Sequence, residues 1–388
     1  MTHRLLAPPR LHQAAHGEVR KVTWLELFYD LVYVAVLIQL GNILSDDVSP
    51  VGLMRFVVLF VPVWWAWTGI TFYMNRFVAD DVVHRLLIYL QIVAIAILGV
   101  SAAGAFNTLT TQFALSYAAI RLLLVLLYVR TWQTEPATRP LTQRYVAGYL
   151  IGISLWVLGA FLPMPWAAVL WLAAVTVEIG NVFTPGTRAL QTLLPPDAEH
   201  MRERYGIFVI IVLGESFIKT ITTASGLAVT GAILLFSLLG IFVVMALWWL
   251  YFDDVEAAEI RARPFAPYLW IYAHLPLTLG LTAFGVGAKK LFLSVGDGHV
   301  KDEYALLFGG ALALYAASLA LLAAATAEPA GTSRRIWLLG ALTLVFGGLA
   351  LGGAALSPLA FIAVVAAAAL AALLVDAVTL NSGKSHVT

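Results

Sequence analysis

The sequence predicts an all-α, polytopic membrane protein with about twelve transmembrane helices. Three observations carry this prediction: 61% of the 388 residues are hydrophobic, only 12% are charged, and the mean hydropathy is +0.89. Soluble domains have about half of their residues apolar and about a quarter charged. The apolar residues also form long unbroken runs, whereas a transmembrane β-barrel has short alternating segments.

Twelve apolar runs follow one another along the chain. Each is close to the roughly 20 residues that a helix needs to cross a bilayer core. Short breaks, such as Pro163-Met164-Pro165, make consecutive helices antiparallel. The runs lie near residues 24–45, 51–74, 85–106, 110–131, 144–162, 165–183, 204–223, 228–252, 266–290, 303–325, 335–354 and 358–379.

The basic residues predict that both termini are cytoplasmic, because cytoplasmic loops are enriched in lysine and arginine. With the N-terminus inside, 17 of the 23 lysines and arginines, Arg204 among them, fall in the tails and cytoplasmic connections. Four fall outside, and Arg121 and Lys219 fall within the runs. Residues 1–22 form a polar tail rather than a cleavable signal peptide, so the first helix is expected to act as the targeting signal.

The expected organisation is two helical halves with short polar segments. These are a tail over 1–22, a first half over 23–184, a connection over 185–203, a second half over 204–380 and a tail over 381–388. A six-plus-six repeat is one hypothesis, because Trp64-Trp65-Ala66-Trp67 before Asp80-Asp81 is similar to Trp248-Trp249-Leu250-Tyr251 before Asp253-Asp254. Tryptophans are common at membrane interfaces, which offers a simpler explanation.

Composition argues against several functional classes. A formal net charge of +1 argues against nucleic acid as a partner. The chain has no cysteine, which excludes disulfides, thiol catalysis and cysteine metal sites. There is no histidine cluster, P-loop, dinucleotide fingerprint or nucleophile elbow, so we expect neither a metal, nor a cofactor, nor an enzyme.

The first run carries two acidic residues, Glu26 and Asp30, near its start. They are four residues apart and therefore lie on one helix face. A carboxylate that faced hydrocarbon would cost about 3 kcal/mol or more, so this face must meet protein, water or headgroups. One hypothesis is a proton or cation relay. The other is an anchor that pairs with Arg20, Lys21 or a basic side chain of a neighbouring helix.

Glu215 and Lys219 are also four apart, in the order that favours an intrahelical ion pair. One hypothesis is a self-neutralised pair that lowers the cost of insertion. The other is an ion or proton site in which the carboxylate exchanges Lys219 for substrate. Gly214 would allow a ligand or a backbone to approach closely, and Ser216 follows directly.

Three further polar residues lie inside runs. Arg121 needs a partner, which is expected among Glu26, Asp30, Glu178 and Glu215, and its role is either a structural ion pair or anion binding. Glu178 is either a third carboxylate of one cluster or an interfacial residue. His274, just before Pro276, is either a hydrogen-bonded core residue or a titrating switch. His84 and Arg85 are expected to be solvated loop charges.

Two motifs are similar to those of the bacterial low temperature requirement A (LtrA) family. One is Trp24-Leu25-Glu26-Leu27-Phe28-Tyr29-Asp30-Leu31, and the other begins at Glu203-Arg204-Tyr205-Gly206 and ends at Leu213-Gly214-Glu215-Ser216. The resemblance spans most of the chain, to about residue 380, and implies a multi-spanning protein of the bacterial inner membrane. It implies no biochemical activity. It marks as motif positions Trp24, Glu26, Asp30, Arg204, Gly206, Gly214, Glu215 and Ser216.

Three functions remain open from the sequence. The first is a secondary transporter or permease for a small ion or solute, with intramembrane carboxylates gathered around one wet pocket. The second is a non-transporting sensory or binding protein for a lipid or small amphipathic ligand. The third and weaker one is a lipid-modifying intramembrane enzyme that uses Ser216 or His274. The last three runs are rich in Ala, Leu and Gly, and Gly348 and Gly352 indicate close helix packing, as scaffold or as a homo-oligomer face.

Overall fold

The computed structural model describes residues 7–12, 21–226, 230–255, 259–261, 263, 265–327 and 332–384. These residues form thirteen α-helices and two short two-stranded ribbons. The helices are α1 Trp24–Asp46, α2 Pro50–Arg76, α3 Val82–Ser101, α4 Thr110–Thr134, α5 Arg139–Gly159, α6 Trp166–Phe183, α7 Pro185–Leu193, α8 Ala198–Ser225, α9 Gly231–Val255, α10 Ala266–Leu293, α11 Asp302–Ala325, α12 Thr332–Gly352 and α13 Pro358–Lys384. The strands are β1 Arg10–Leu11, β2 Phe77–Val78, β3 Glu259–Ile260 and β4 Thr326–Ala327.

The all-α, multi-spanning architecture predicted from the apolar runs is confirmed. Twelve long helices lie at the twelve predicted runs, and in the described part of the chain eleven of them are long and apolar enough to cross a membrane. The exception is α5, which spans about 31 Å at 1.5 Å per residue. Its first turns contain Arg139, Gln143 and Arg144, which lower its hydropathy.

The additional short helix, α7, has no counterpart among the twelve predicted runs. It lies inside the segment that was predicted to be a connection over 185–203. Proline at its first position supplies the φ angle that a helix start requires. Helix α8 begins at Ala198, ahead of the predicted start at residue 204, and this places Arg204 inside a helix. Helix α13 runs to Lys384, into the predicted C-terminal tail, and residues 385–388 lie outside the described residues.

The chain divides into two compact units. Unit 1 comprises Met1–Leu40 and Arg55–Arg204, and unit 2 comprises Gly41–Met54 and Tyr205–Thr388. The boundary after Arg204 lies next to the expected boundary between the two helical halves. The end of α1 and the start of α2 nevertheless belong to unit 2. The expected division into two continuous halves of the sequence did not include this.

In unit 1, helices α3 to α6 pack each against the next along the chain. Large aromatic side chains fill the space between α4, α5 and α6. The ring of Trp156 stacks on Tyr117 at a centroid distance of 4.0 Å and on Trp171 at 5.2 Å. Stacked aromatic pairs contribute about 0.5–1.5 kcal/mol beyond their buried area, so this stack stabilises the packing of α4 and α6, the helices that carry Arg121 and Glu178.

In unit 2, α10, α11 and α12 pack in sequence, and α13 packs against α9 and α12. The close approach of α11 and α12 depends on Gly309, because a Cβ there would lie 2.8 Å from the Cα of Ala350. Gly348 and Gly352 have no atom within 4 Å of such a Cβ in the described residues. The small-residue pair singled out in the sequence is therefore not what brings these two helices together, and its role in a homo-oligomer stays a prediction.

Each ribbon joins the two ends of an antiparallel helix pair. Strands β1 and β2 flank α1 and α2, and strands β3 and β4 flank α10 and α11. Part of the predicted N-terminal tail is thus ordered against the end of α2. This correspondence relates the first two long helices to the ninth and tenth, whereas the six-plus-six hypothesis relates them to the seventh and eighth. That repeat stays a prediction, and the side chains of Asp253 and Asp254 lie outside the described residues.

Asp81 caps the start of α3 and binds Arg130 of α4. Its Oδ1 accepts from the backbone N–H of His84 at 3.3 Å, and its two oxygens accept from the Arg130 guanidinium at 2.9 and 2.6 Å. Burial favours the neutral carboxyl, but the Arg130 ion pair and the His84 N–H outweigh it and hold the pKa of Asp81 below its ordinary value.

We expect this ion pair to make stability depend on pH in acid. Because the pKa is lowered on folding, the stabilisation is complete above the ordinary aspartate pKa of about 3.9 and is lost as the pH falls through the lower folded-state pKa. Asp81→Asn keeps a capping side chain but removes the charge. The melting temperature of this variant, measured in detergent, should lie below that of the wild type. The difference should be constant above about pH 5 and shrink towards about pH 3. A deficit that does not change with pH would contradict this.

Candidate functional site

Glu26 closes a capping box at the start of α1. The backbone N–H and the hydroxyl of Thr23 donate to Glu26 Oε2 at 2.8 and 2.9 Å, and the Glu26 N–H donates to Thr23 Oγ1 at 3.3 Å. This reciprocal pattern satisfies backbone donors that a helix start leaves unpaired. The other carboxylate oxygen of Glu26 lies 3.2 Å from Nη1 of Arg204 and 3.5 Å from Nε2 of His200.

Asp30, one turn further along α1, receives two donors from Arg204. Arg204 Nε donates to Asp30 Oδ2 at 3.0 Å and Nη2 donates to Oδ1 at 2.6 Å. The indole N–H of Trp67 donates to the same Oδ1 at 2.7 Å. Asp30 and Arg204 have no exposed surface. This forked geometry holds both partners rigidly, and the two acids of α1 therefore share one arginine of α8.

Arg121 pairs with Glu178, one of the four partners that the sequence allowed. Nη2 of Arg121 lies 2.7 Å from Oε2 of Glu178, and neither side chain has any exposed surface. The Trp65 indole N–H donates to the same oxygen at 2.8 Å. The rings of Tyr117 and Tyr149 each lie 5.2 Å from the Arg121 guanidinium carbon, within the range of cation–π attraction.

Two glycines leave room for this pair. A Cβ on Gly69 would lie 2.7 Å from Nη1 of Arg121, and a Cβ on Gly152 would overlap Oε1 of Glu178. The ion pair thus occupies volume that any larger residue at these two positions would fill. Glu178 is not part of the Glu26–Asp30 cluster, because its cation is Arg121, and its side chain is buried.

Glu215 and Lys219 form the intrahelical pair that their spacing predicts. Nζ of Lys219 lies 3.1 Å from Oε1 of Glu215, and the side chains are 12% and 14% exposed. A Cβ on Gly41, in the part of α1 that belongs to unit 2, would lie 2.8 Å from that Nζ. The absence of a side chain at Gly41 therefore gives the amine its position.

A cavity of about 430 Å³ in unit 2 lies beside this pair. We call it the lysine cavity, because Lys219 and Lys289 both line it together with Glu215 and Asn42. The hydroxyls of Thr222 and Thr223 also line it, but each donates to a backbone carbonyl of α8. Two ammonium groups and one carboxylate thus meet at a space large enough for a small solute.

Ser216 and His274 are held in the core of unit 2. The Ser216 hydroxyl donates to the Leu281 carbonyl of α10 at 3.2 Å. Nδ1 of His274 lies 2.7 Å from the carbonyl of Trp270, which can only accept, so the proton is assigned to Nδ1. Nε2 then accepts from the Tyr251 hydroxyl at 3.0 Å. His274 is a hydrogen-bonded core residue.

The carboxylates do not share one cluster in the described residues, because each group has its own cation: Arg204, Arg121 or Lys219. The anchor hypothesis for Glu26 and Asp30 included a basic side chain of a neighbouring helix, and Arg204 of α8 is such a side chain. Arg204 itself was not named, since it was counted with the cytoplasmic connection, although the second motif includes it. The capping box was also missed, and the Thr23-x-x-Glu26 spacing would have revealed it. Arg20, a partner proposed for Glu26, lies outside the described residues.

His84 was expected to be solvated and is instead buried, whereas Arg85 pairs with Asp80 at the surface. Within the residues that the structure covers, no three His, Asp or Glu side chains are grouped so that they could hold a metal ion.

Comparison with known proteins places these residues in a family. A profile described as "Bacterial low temperature requirement A protein (LtrA)" matches residues 21–376. The chain is 33% identical over 286 residues to the uncharacterized protein RA0937 of Rhizobium meliloti (strain 1021), which covers 69% of this chain and 68% of that protein. No solved structure matches. The buried acids of α1, their arginine on α8 and the Glu215 segment all lie within the matched residues, and the chain belongs to the LtrA family of multi-spanning membrane proteins.

Proposed function

We propose that this protein is a secondary transporter or permease of the bacterial inner membrane, which carries a small ion or solute and uses Glu215 as its exchangeable carboxylate. The observation that supports the proposal is the lysine cavity beside the Glu215–Lys219 pair. Ionisable side chains within membrane spans that face a cavity mark substrate or ion pathways in many membrane proteins.

Glu215 suits exchange better than the other buried acids do. Asp30 is held by two donors of one guanidinium and Glu178 by Arg121 in a site without exposed surface. Glu215 is instead paired with the Lys219 ammonium at 3.1 Å, and both side chains are partly exposed. A lysine ammonium is a point charge on a flexible stem, so it can leave Glu215 when a solute arrives without breaking a forked geometry.

The charges of the lysine cavity favour a solute with an anionic group. Lys219 and Lys289 attract such a group, and Glu215 is freed as Lys219 turns towards it. A second, cationic group on the solute, or a proton, then compensates Glu215. The proposed function involves no covalent chemistry, and the Ser216 hydroxyl and the His274 ring serve the packing of unit 2.

Flux into liposomes that contain the purified protein tests this proposal. Glu215→Gln should reduce uptake to the level of empty liposomes, because the neutral amide cannot exchange Lys219 for a charged group. The panel should include small inorganic anions, carboxylates, amino acids and monovalent cations, each at two pH values. Glu199→Gln, on the exposed first turn of the same helix, is the matched control and should keep full uptake.

A paired variant separates transport from insertion. Glu215→Gln with Lys219→Gln removes both charges, so it should insert and fold at least as well as the wild type, yet carry no solute. If this double variant transports at the wild-type rate, the pair serves insertion alone and the proposal fails.

A further inference from the structure

Unit 1 contains a second cavity, of about 760 Å³. It lies where α1 begins, α2 ends and α3 begins, which is where these long apolar helices would leave a membrane. We call it the boundary cavity. Its lining includes Lys21, Trp24, Phe28, Asp80, Arg85 and Tyr89. None of them belongs to the lysine cavity, so an inference drawn from them is independent of the transport proposal.

Cationic groups with unused donors form part of the lining of the boundary cavity. In the described part of the chain, the Lys21 ammonium has no ion-pair partner. Arg85 donates from Nε and Nη2 to Asp80 Oδ1 at 3.1 and 2.6 Å, which leaves Nη1 for a ligand. Glu26 also lines the cavity, but Thr23 and Arg204 already occupy its oxygens. With Arg85 paired to Asp80 and Glu26 to Arg204, the unpaired formal charge in this lining is the positive charge of Lys21.

A buried histidine supplies a further polar group. His84 lines the cavity and is 5% exposed, and among the described residues its Nδ1 has no hydrogen-bond partner. An unpaired polar atom in such a position costs free energy unless something binds it. A ligand, or a water molecule held by that ligand, would provide the missing partner.

Exposed aromatic side chains form an apolar rim of the cavity. Trp24 is 87% exposed, and Phe28 and Tyr89 are each 51% exposed. Tryptophan and tyrosine are enriched at the depth of lipid headgroups, where one end of the ring is apolar and the other is wet. A soluble anion would leave this rim uncovered, whereas a molecule with both a charged head and acyl chains would cover it.

We infer that the boundary cavity binds the phosphodiester headgroup of a membrane phospholipid. Lys21 and Nη1 of Arg85 bind the phosphate oxygens, and the upper acyl chains pack on Trp24, Phe28 and Tyr89. The volume is within the range of pockets that hold a drug-sized ligand, about 300–1,000 Å³, and exceeds what a phosphate ion alone would fill. The lipid would thus contact the start of α1, the helix whose Glu26 and Asp30 pair with Arg204.

Native mass spectrometry of the full-length protein in detergent tests this inference. The protein is titrated with phosphatidylglycerol, with phosphatidylethanolamine and with diacylglycerol, which has the same chains but no phosphate. Either or both phospholipids should bind, and diacylglycerol should bind at least tenfold more weakly. Diacylglycerol that binds as tightly as the phospholipids would overturn the inference, because it would show that the phosphate is not recognised.

Charge-removing variants locate the site. Lys21→Gln with Arg85→Gln should weaken phospholipid binding about 30-fold, since each basic side chain near a phosphate contributes about a factor of five. Lys21→Gln alone breaks no ion pair among the described residues and should weaken binding about fivefold. Arg139→Gln, an exposed arginine elsewhere in unit 1, is the control. Equal losses in all three variants, or no loss in any, would contradict the assignment.

A final arm separates a lipid from a free anion. Inorganic phosphate or glycerophosphate is added at the concentration of the bound phospholipid. If the lipid stays bound, the source of the phosphate is the membrane. If the soluble anion displaces it, the cavity is a phosphate site and the lipid assignment is wrong.

Discussion

Replacement of Arg204 by methionine is expected to destabilise the protein by about 3–5 kcal/mol, because it leaves two buried carboxylates without their cation. Asp30 and Glu26 both depend on this guanidinium, at 2.6 and 3.2 Å. Arg204→Lys should fall between the wild type and Arg204→Met, since an ammonium cannot donate to Asp30 in a fork. Unfolding in mixed micelles, followed by helical circular dichroism, measures the free energy of unfolding.

A second variant distinguishes charge from volume at this site. Arg204→Met combined with Asp30→Leu removes both partners of the forked ion pair but leaves Glu26 without its arginine, so it should recover part of the lost stability. Arg334→Met, at an exposed position, should change the free energy of unfolding by about 0.5 kcal/mol or less. If Arg204→Met is as stable as the wild type, the cluster does not anchor α8 to α1.

The Arg121–Glu178 pair is expected to give the second large effect. Arg121→Met and Glu178→Leu should each cost about 3–5 kcal/mol, because each leaves the other charge buried and unpaired. The double variant should cost clearly less than the sum of the two, since no charge then remains in the site. The difference is the coupling free energy of the pair.

The Glu215–Lys219 pair in unit 2 is the control for the Arg121–Glu178 double-mutant cycle. In the Glu215–Lys219 pair both groups are partly exposed, so each single substitution should cost about 1 kcal/mol or less, as expected for pairs near water. Costs of similar size at both pairs would mean that the burial of Arg121 and Glu178 does not decide their contribution, and the structural role assigned to them would fail.

The two kinds of ion pair divide the acids between stability and function. Asp30 and Glu178 are held by arginines in sites without exposed surface, which suits helix anchoring. Glu215 is held by one lysine beside a cavity, which suits exchange. Residues with similar insertion costs in the sequence thus have different roles, and the difference comes from what surrounds each carboxylate in the folded protein.

The sequence by itself determined what depends on neighbouring residues. Twelve long helices follow from the apolar runs, because each run satisfies its own backbone hydrogen bonds. The Glu215–Lys219 pair follows from a spacing of four residues, and the placement of Glu26 and Asp30 on one face of α1 follows from the same geometry. The short amphipathic helix α7 was not predicted, since nine residues carry too weak a pattern.

Only the tertiary structure decided which charges pair over long distances in the chain. Arg204 is 174 residues from Asp30, and no local pattern links them. The choice of Glu178 for Arg121 among four acids required the volume that Gly69 and Gly152 leave open. The two cavities also required the folded chain, because their walls combine α1 with α8 and α10 in unit 2, and α1 with α2 and α3 in unit 1. The cost of placing a charge in the membrane predicts, from the sequence alone, that a buried charge has a partner. Tertiary packing decides which residue that partner is.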